Sequence, residues 1–501
     1  MSTQTLAQRR HVKAPVGDND RSKPSARTAS PAGFPPAAPS TTAPGSAGPS
    51  TGTASRPPQA RPAPAGTLAT RDASPPRPGP EEPSTAAEEP AVAAGSSGTG
   101  PVPHARTPFP PGSHDVLLTD LCSILFTSLS RSDQCRKGMQ YLRGLLETEG
   151  RKSIRNIAAL LGKPASEQNL HHFICSSTWD WVPIRRALAH YLVGAAAPQA
   201  WVVQPMIIPK TGRHSVGVER HFFPTLGQVL NAQHAIGVWA ASEELSTPVN
   251  WRLHLPEVWL TDDLRRSQVS IPDGVGVETL GEGMIEACLE TTTGWGLPVR
   301  PVVLDIGESQ AMTIFGKLNA HGVPLLARVG GDLRLAVLDS VLPGSGSRPL
   351  PAHRIMSLAK DMRRPVPGKE HGPQSAARAG LAATIRVGLP SVSPASPASP
   401  AAAGAGPAAA GGELLLLGIG EEGGHWPAEL WLTNLTAVSP ATLVRLSRLT
   451  GKVDRDFTEI ADRVGIRDFT GRSFSGWHRH VTLASAAHAV VALANRRERP
   501  A

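Results

Sequence analysis

The sequence predicts an α/β protein: a mixed sheet with flanking helices, preceded by an all-helical module and a disordered N-terminal tail. Three observations carry that prediction. Apolar residues recur at helical spacing from Val116 to Leu192, the period switches to β-rich runs from Ala200, and the stretch before Val116 has almost no aliphatic clusters. Strands followed by strand–helix alternation fit a sheet with helices on its faces.

Residues 1–112 are rich in Pro, Ala, Ser, Thr and Gly. Such a stretch buries too little apolar surface to offset chain entropy, so it reads as a disordered tail, inert in preference to one whose scattered Arg and Lys touch phosphates weakly. Segment 113–198 reads as helices. Leu117, Leu121, Ile124 and Leu125 share one helical face, as do Met139, Leu142, Leu145 and Leu146. Ile154, Ile157, Ala158 and Leu161 form a third face, stopped by Gly162 and Pro164, and further helices run through Leu170 and Phe173 and from Ile184 to Leu192. RKSIRNIAALLG, followed after a short break by SEQNLHHFI, has a helix-turn-helix rhythm. In that reading Arg151, Lys152 and Arg155 contact phosphates, and Gln168, Asn169 and His171 face a groove. A plain helical bundle with a solvated basic edge fits the same spacing.

In 199–344, WVVQPMII, SVGVERHFF, AQHAIGVWAAS and VNWRLHL are β-rich runs divided by turn residues. A helix from Leu280 to Thr292, the strand VRPVVLDIG, a helix from Met312 to Ala320 and the strand PLLARVG complete this part. Residues 345–411 lose the pattern and end in SPASPASPAAAGAGPAAAGG, which predicts a low-complexity, largely unstructured insertion. Structure resumes in 412–495 with the strands ELLLLGIG and ELWLTNL and helices through Val444–Ala461 and Val481–Leu493; 496–501 is tail.

The 501 residues include 49 Gly and 49 Pro, unevenly spread, so part of the length is not globular. A net charge of +9 and a pI near 9.8 favour a polyanionic partner, nucleic acid first, although a high-GC genome enriches Arg regardless of function. Cys122, Cys135, Cys175 and Cys288 form no C-x-x-C and lack paired His spacing, which argues against a zinc site and against a disulfide framework. They read as small buried hydrophobes in a reducing compartment. There is no apolar h-region and no run of about 18 apolar residues, so no membrane association is expected and the cytosol is the expected location.

Several blocks together resemble one family. WVVQPMIIPKTGRHSVGVERHFF through AQHAIGVWAAS, then LHLPEVWLTDDLRRSQVSIPD, VVLDIGES, and LVRLSRLTGKVDRDFTEIADRVGIRDFTGRSFSGWHRHVTLASAAHA are similar, in order and spacing, to bacterial insertion-sequence transposases of the DDE class. The similarity points to the 701 group, related to the insertion-sequence 4 superfamily, and covers about residues 115–345 and 413–495. It implies an RNase H-like fold, DNA transposition by metal-dependent phosphoryl transfer, double-stranded DNA as partner, and Mg²⁺ as cofactor if the site is active. In such sites three carboxylates converge on two divalent cations about 4 Å apart.

By that resemblance the first Asp falls on Gln204, the second on Asp305 and the Glu on Asp454. An Arg before that Glu falls on Thr450, and a Lys after it on Ala461. Gln204 removes a negative charge, Asp454 is one methylene short, and Thr450 and Ala461 remove two phosphate-gripping cations. The triad therefore reads as eroded, with Asp305 and Asp454 as the remaining metal ligands.

Glu308 and the pair Asp262 and Asp263 are other carboxylates nearby in sequence; the first reads as a loop residue and the pair as a cap. His478 and His480 lack a third metal ligand and read as packing or phosphate contacts. Arg463, Arg467, Arg472 and Arg479 form a basic run that the resemblance turns toward DNA, with Arg472 and Arg479 as the expected contacts.

Three functions follow: a DNA-binding protein of transposase descent without strand transfer, placed at the bacterial nucleoid; a working two-metal transposase that tolerates Gln204 and Asp454; and a protein-interaction scaffold. A homo-oligomer is compatible with all three.

Overall fold

In the computed structural model, which describes residues 107–162, 165–223, 227–305, 311–342, 348–368, 380–390 and 412–498, the first periodic segment forms five helices. They are α1 (Asp115–Leu125), α2 (Ser132–Glu147), α3 (Ile154–Leu160), α4 (Ala165–His171) and α5 (Val182–Ala196). Ser153 caps α3, its Oγ accepting from the Asn156 amide, and Gly162 in the left-handed region ends the turn after it.

The β-rich segment becomes β1 (Ala200–Pro209), β2 (Glu219–Phe223), β3 (Gln228–Ala241) and β4 (Ser246–Leu253). Two short helices follow, α6 (Val258–Thr261) and α7 (Asp263–Gln268), the second capped by Asp262, then α8 (Leu280–Leu289) with a Thr279/Glu282 capping box. Next come β5 (Val302–Asp305), α9 (Ala311–Ala320), β6 (Leu325–Arg328), β7 (Arg334–Val337), β8 (Leu350–Pro351), α10 (Ala352–Leu358), β9 (Arg364–Val366) and β10 (Gly380–Gly388). The chain closes with β11 (Leu414–Glu421), β12 (Glu429–Thr433), α11 (Pro440–Ser447), α12 (Leu449–Asp456), a π-helical turn (Phe457–Ala461) and α13 (Phe474–Glu498).

One sheet runs in the order β2-β3-β1-β5-β6-β12-β11-β10-β7-β8, with β4 also on β3 and β9 also on β10. β1, β5 and β6 are parallel neighbours, and β3 lies antiparallel to β1. This mixed sheet with flanking helices carries the RNase H-like arrangement the sequence predicts.

Two expectations are corrected. Residues 345–411 are not simply an unstructured insertion: α10 and the strands β8, β9 and β10 lie within them, and β10 joins β7 to β11. The run GLAATIRVG lies between Pro-, Ala-, Ser- and Gly-rich stretches and its partners sit far away in sequence, so local pattern does not reveal it. The disorder expected of 1–106, 345–347, 369–379 and 391–411 concerns residues outside those described, whereas Phe109 is buried and its amide donates to the Leu146 carbonyl.

The helical module is also not a separate body. α13 is buried on every side from Gly476 to Ala494, its polar His478, Arg479, His480, Thr482, Ser485 and His488 included, so it is an enclosed helix. It packs against β4 on one flank and against α1, α2 and α5 on the others, so module and sheet share one core. All four cysteines are free; burial pushes the Cys122 and Cys288 thiols up to about 12 and Cys175 up to about 11, which keeps them protonated. No described helix is long and apolar enough to cross a membrane.

Candidate active site

The parallel pairing of β1 and β5 matches Val203 with Leu304, so the next residues, Gln204 and Asp305, leave adjacent strands side by side. Gln204 also lies opposite Gly237 of β3, which lies opposite Trp251 of β4. A Cβ at Gly237 would sit 2.8 Å from Trp251 and 2.9 Å from Trp239 Nε1, so this face tolerates no side chain there. The Trp251 indole donates to Ser485 Oγ of α13 at 2.8 Å, which puts α13 on that face. Ile236, one residue on, meets α8 at Gly283, so α8 covers the other face.

α12 packs on β1 and β5 and delivers the third position. Its phase is set two residues beyond, by buried Asp456. That carboxylate accepts from the Ser246 amide (2.7 Å) and hydroxyl (2.8 Å) at the start of β4 and from Lys452 Nζ (2.6 Å). With Asp456 held, Asp454 meets β1, and Gln204 Nε2 donates to Asp454 Oδ1 at 2.6 Å. Residues 204, 305 and 454 are thus gathered at one end of the β1–β5 pair.

The chemistry there does not fit a pair of divalent cations. The Gln204 amide group turns its hydrogens toward Asp454. Asp305 Oδ2 accepts from Arg328 Nη1 at 3.1 Å, because the parallel register of β5 and β6 sets Asp305 directly beside Arg328. Both carboxylates already have protein donors, one of them cationic. Among the described residues no group of three His, Cys, Asp or Glu could hold a metal ion. Glu308 lies outside the described residues.

The two flanking positions differ from each other. Thr450 is half-buried and its hydroxyl donates to the Ser447 carbonyl. Ala461 is fully buried. The π-helical turn ending at Ala461 adds a residue to the helical repeat, so position 461 no longer shares the face of Asp454.

Among the expected DNA contacts, Arg151 and Arg155 are exposed at the start of α3, and Gln168, Asn169 and His171 are exposed on α4. Arg472 is exposed as well. Two expectations are corrected. Lys152 is buried: its ammonium donates to the Thr148 carbonyl and its amide to Asp468 Oδ2 (2.8 Å), so it closes the joint between α2 and the C-terminal segment. Arg479 is buried too, donating to the carbonyls of Trp179 (3.0 Å) and Ile174 (3.1 Å). Residue type in a basic run points both outward, because it does not encode which turn of the chain faces a neighbouring element.

Arg463 lies over the Phe109 ring and donates to the Thr107 carbonyl, and Arg467 pairs with Asp462. His478 and His480 are packing groups. The Gly465 carbonyl can only accept, so His480 Nε2 carries the hydrogen, and Nδ1 accepts from the Tyr141 hydroxyl at 2.8 Å. His478 Nδ1 accepts from Arg185, and its ring stacks on Trp181 at 4.7 Å.

Sequence reasoning missed Arg328, Asp456, Arg185 and Lys210. Arg328 had a signal: it ends a buried-looking strand just as Asp305 does. Lys210 follows β1 and donates to the Phe469 carbonyl at 2.8 Å; burial, with Arg151 nearby, pulls its ammonium down to about 8. That proximity brings the basic start of α3 close to the end of β1.

A central strand bearing Gln204, its parallel neighbour bearing Asp305 and a late helix bringing Asp454 against them have the arrangement of RNase H-like polynucleotide-processing folds. The chain belongs to the DDE superfamily endonucleases, whose family model matches residues 124–384, more than half of its length. That span takes in most of the helical module together with Gln204 and Asp305 and ends within β10; α12 and Asp454 lie beyond it. The family is of the DDE transposase type, which makes DNA the substrate class and divalent metal the usual cofactor. No curated protein matches the chain.

Proposed function

We propose that this protein is a DNA-binding descendant of an insertion-sequence transposase of the 701 group that has lost strand cleavage and transfer. The observation that carries the reading is the 2.6 Å hydrogen bond from the Gln204 amide to Asp454. Where a nuclease of this design needs a third carboxylate to hold its ions, this chain puts a neutral donor that satisfies the carboxylate opposite. Two carboxylates can hold one Mg²⁺ with several waters, but a second ion without the missing charge is costly. The exposed Arg151, Arg155 and Arg472, with Lys210 beside Arg151, give duplex DNA a cationic surface that is independent of the triad. At the bacterial nucleoid such a protein would act by occupying DNA.

Binding is expected to be sequence-tolerant and steeply weakened by salt, because each phosphate contact releases a counterion. Replacing Arg151, Arg155 and Arg472 together by Ala should lower duplex affinity and flatten the log–log salt slope by about 2 to 3. Fluorescence anisotropy on a labelled duplex between low and moderate salt measures both; an unchanged slope removes these residues from the interface. The purified chain should not nick supercoiled plasmid in Mg²⁺ or Mn²⁺. Metal-dependent nicking that tracks with Asp305 would overturn the loss of catalysis.

A further inference from the structure

We propose that Arg328 is the resident cation of this site, standing beside Asp305 in place of a divalent ion and excluding one. The inference rests on the reading of an eroded triad and adds a residue to it. The register makes the placement firm: Asp305 and Arg328 are paired residues on neighbouring parallel strands, each the last of its strand, with Nη1 and Oδ2 3.1 Å apart. On the other side of Asp305 stands Gln204, which ties up Asp454.

The charges of the four side chains are two negative and one positive, leaving a single net negative charge. Three carboxylates facing two divalent ions would instead demand cations. The Asp305–Arg328 pair is about half exposed on both sides, so it adds little to stability. Its weight falls on the ion: a guanidinium tethered to β6 repels any divalent cation that approaches Asp305, and reaching Asp305 also means displacing it. At roughly 5 Å in a watery site, that repulsion alone is worth about tenfold in affinity or more. Arg328 is thus a specificity-determining residue, and its effect is separable from that of Gln204.

The test is a titration of the full chain with Mn²⁺ alone, reading free Mn²⁺ by electron paramagnetic resonance and the thermal midpoint with and without a chelator. The unmodified protein should bind no Mn²⁺ tighter than about 1 mM and melt at the same temperature in chelator. Gln204→Asp should gain modest affinity, and Gln204→Asp combined with Arg328→Ala should bind at least about tenfold tighter than Gln204→Asp, with a midpoint that rises with Mn²⁺. Gln204→Asp with Arg328→Lys keeps the charge and should stay weak. Equal affinity of the single and double variants would overturn the proposal, as would tight Mn²⁺ binding by the unmodified chain. Circular dichroism of each variant at 25 °C shows that it is folded before titration. The titration contains no DNA, so a failure of the DNA-binding reading leaves the role of Arg328 untouched.

Discussion

Arg185→Ala is expected to cost the fold on the order of 3–5 kcal/mol, a large fraction of the stability of an ordinary domain. Arg185 is 2 % exposed, yet all its donors are used. Nε donates to Thr482 Oγ1 (2.7 Å); Nη1 donates to Asn250 Oδ1 (3.1 Å) and the Trp251 carbonyl (2.7 Å); Nη2 donates to His478 Nδ1 (3.0 Å) and the His478 carbonyl (3.2 Å). Asn250 bridges the guanidinium to Glu290, its amide donating to that carboxylate at 3.0 Å. Burial draws the guanidinium down to about 9, so it stays charged at neutral pH. This one side chain joins α5, β4 and α13, and truncation strands several buried acceptors at once. Chemical denaturation checks the cost. Arg185→Met, which keeps the volume and loses the donors, should fall nearly as far; a midpoint close to the unmodified protein in both variants would show that the network contributes nothing.

Acid should destabilise the protein from about pH 6.5 downward, before most of its carboxylates are protonated. Burial pulls His480 and His488 down to about 4 and holds His478 well below the ordinary imidazole range. In the unfolded chain these rings take a proton near 6.5. Between those values the unfolded state binds more protons, so stability is intact above about pH 6.5 and drains away as pH falls toward 4. His480 and His488 should each withdraw on the order of 3 kcal/mol by pH 4, and His478 adds to the loss. Thermal midpoints across pH 7 to 4 measure the decline. His488→Leu, which packs an apolar side chain against Trp239 where the ring now stands, should flatten the curve by one proton's worth. A flat midpoint from pH 6.5 to 4.5 in the unmodified protein would show that these rings titrate normally.

The legible parts of this protein are those with a local period. The helices of the first segment, the strands β1 to β6 and the late strands β11 and β12 all announce themselves by spacing, because one buried face forces a repeat of 3.6 or 2 on the apolar residues. The resemblance singled out Gln204, Asp305 and Asp454, and the strand register and a hydrogen bond bring these three together in space. β10 was not legible: it is flanked by Pro-, Ala-, Ser- and Gly-rich sequence, and its partners β7 and β11 lie across those stretches. Nor was the orientation of Lys152 and Arg479. A long cationic side chain with an apolar stem fits an exposed helix face and a buried joint equally well, and only the neighbour decides.

By itself the sequence determined the class of the fold and the family, since each is written in residue type and order. Only the tertiary structure decided that the helical module and the sheet share one core around α13, that Ala461 faces inward past a π-helical turn, and that Arg328 stands beside Asp305. The physical reason is common to all three. Side chains separated by tens to hundreds of residues meet only through strand register, helix phase and packing, and these are set by the whole chain at once rather than by any window of it.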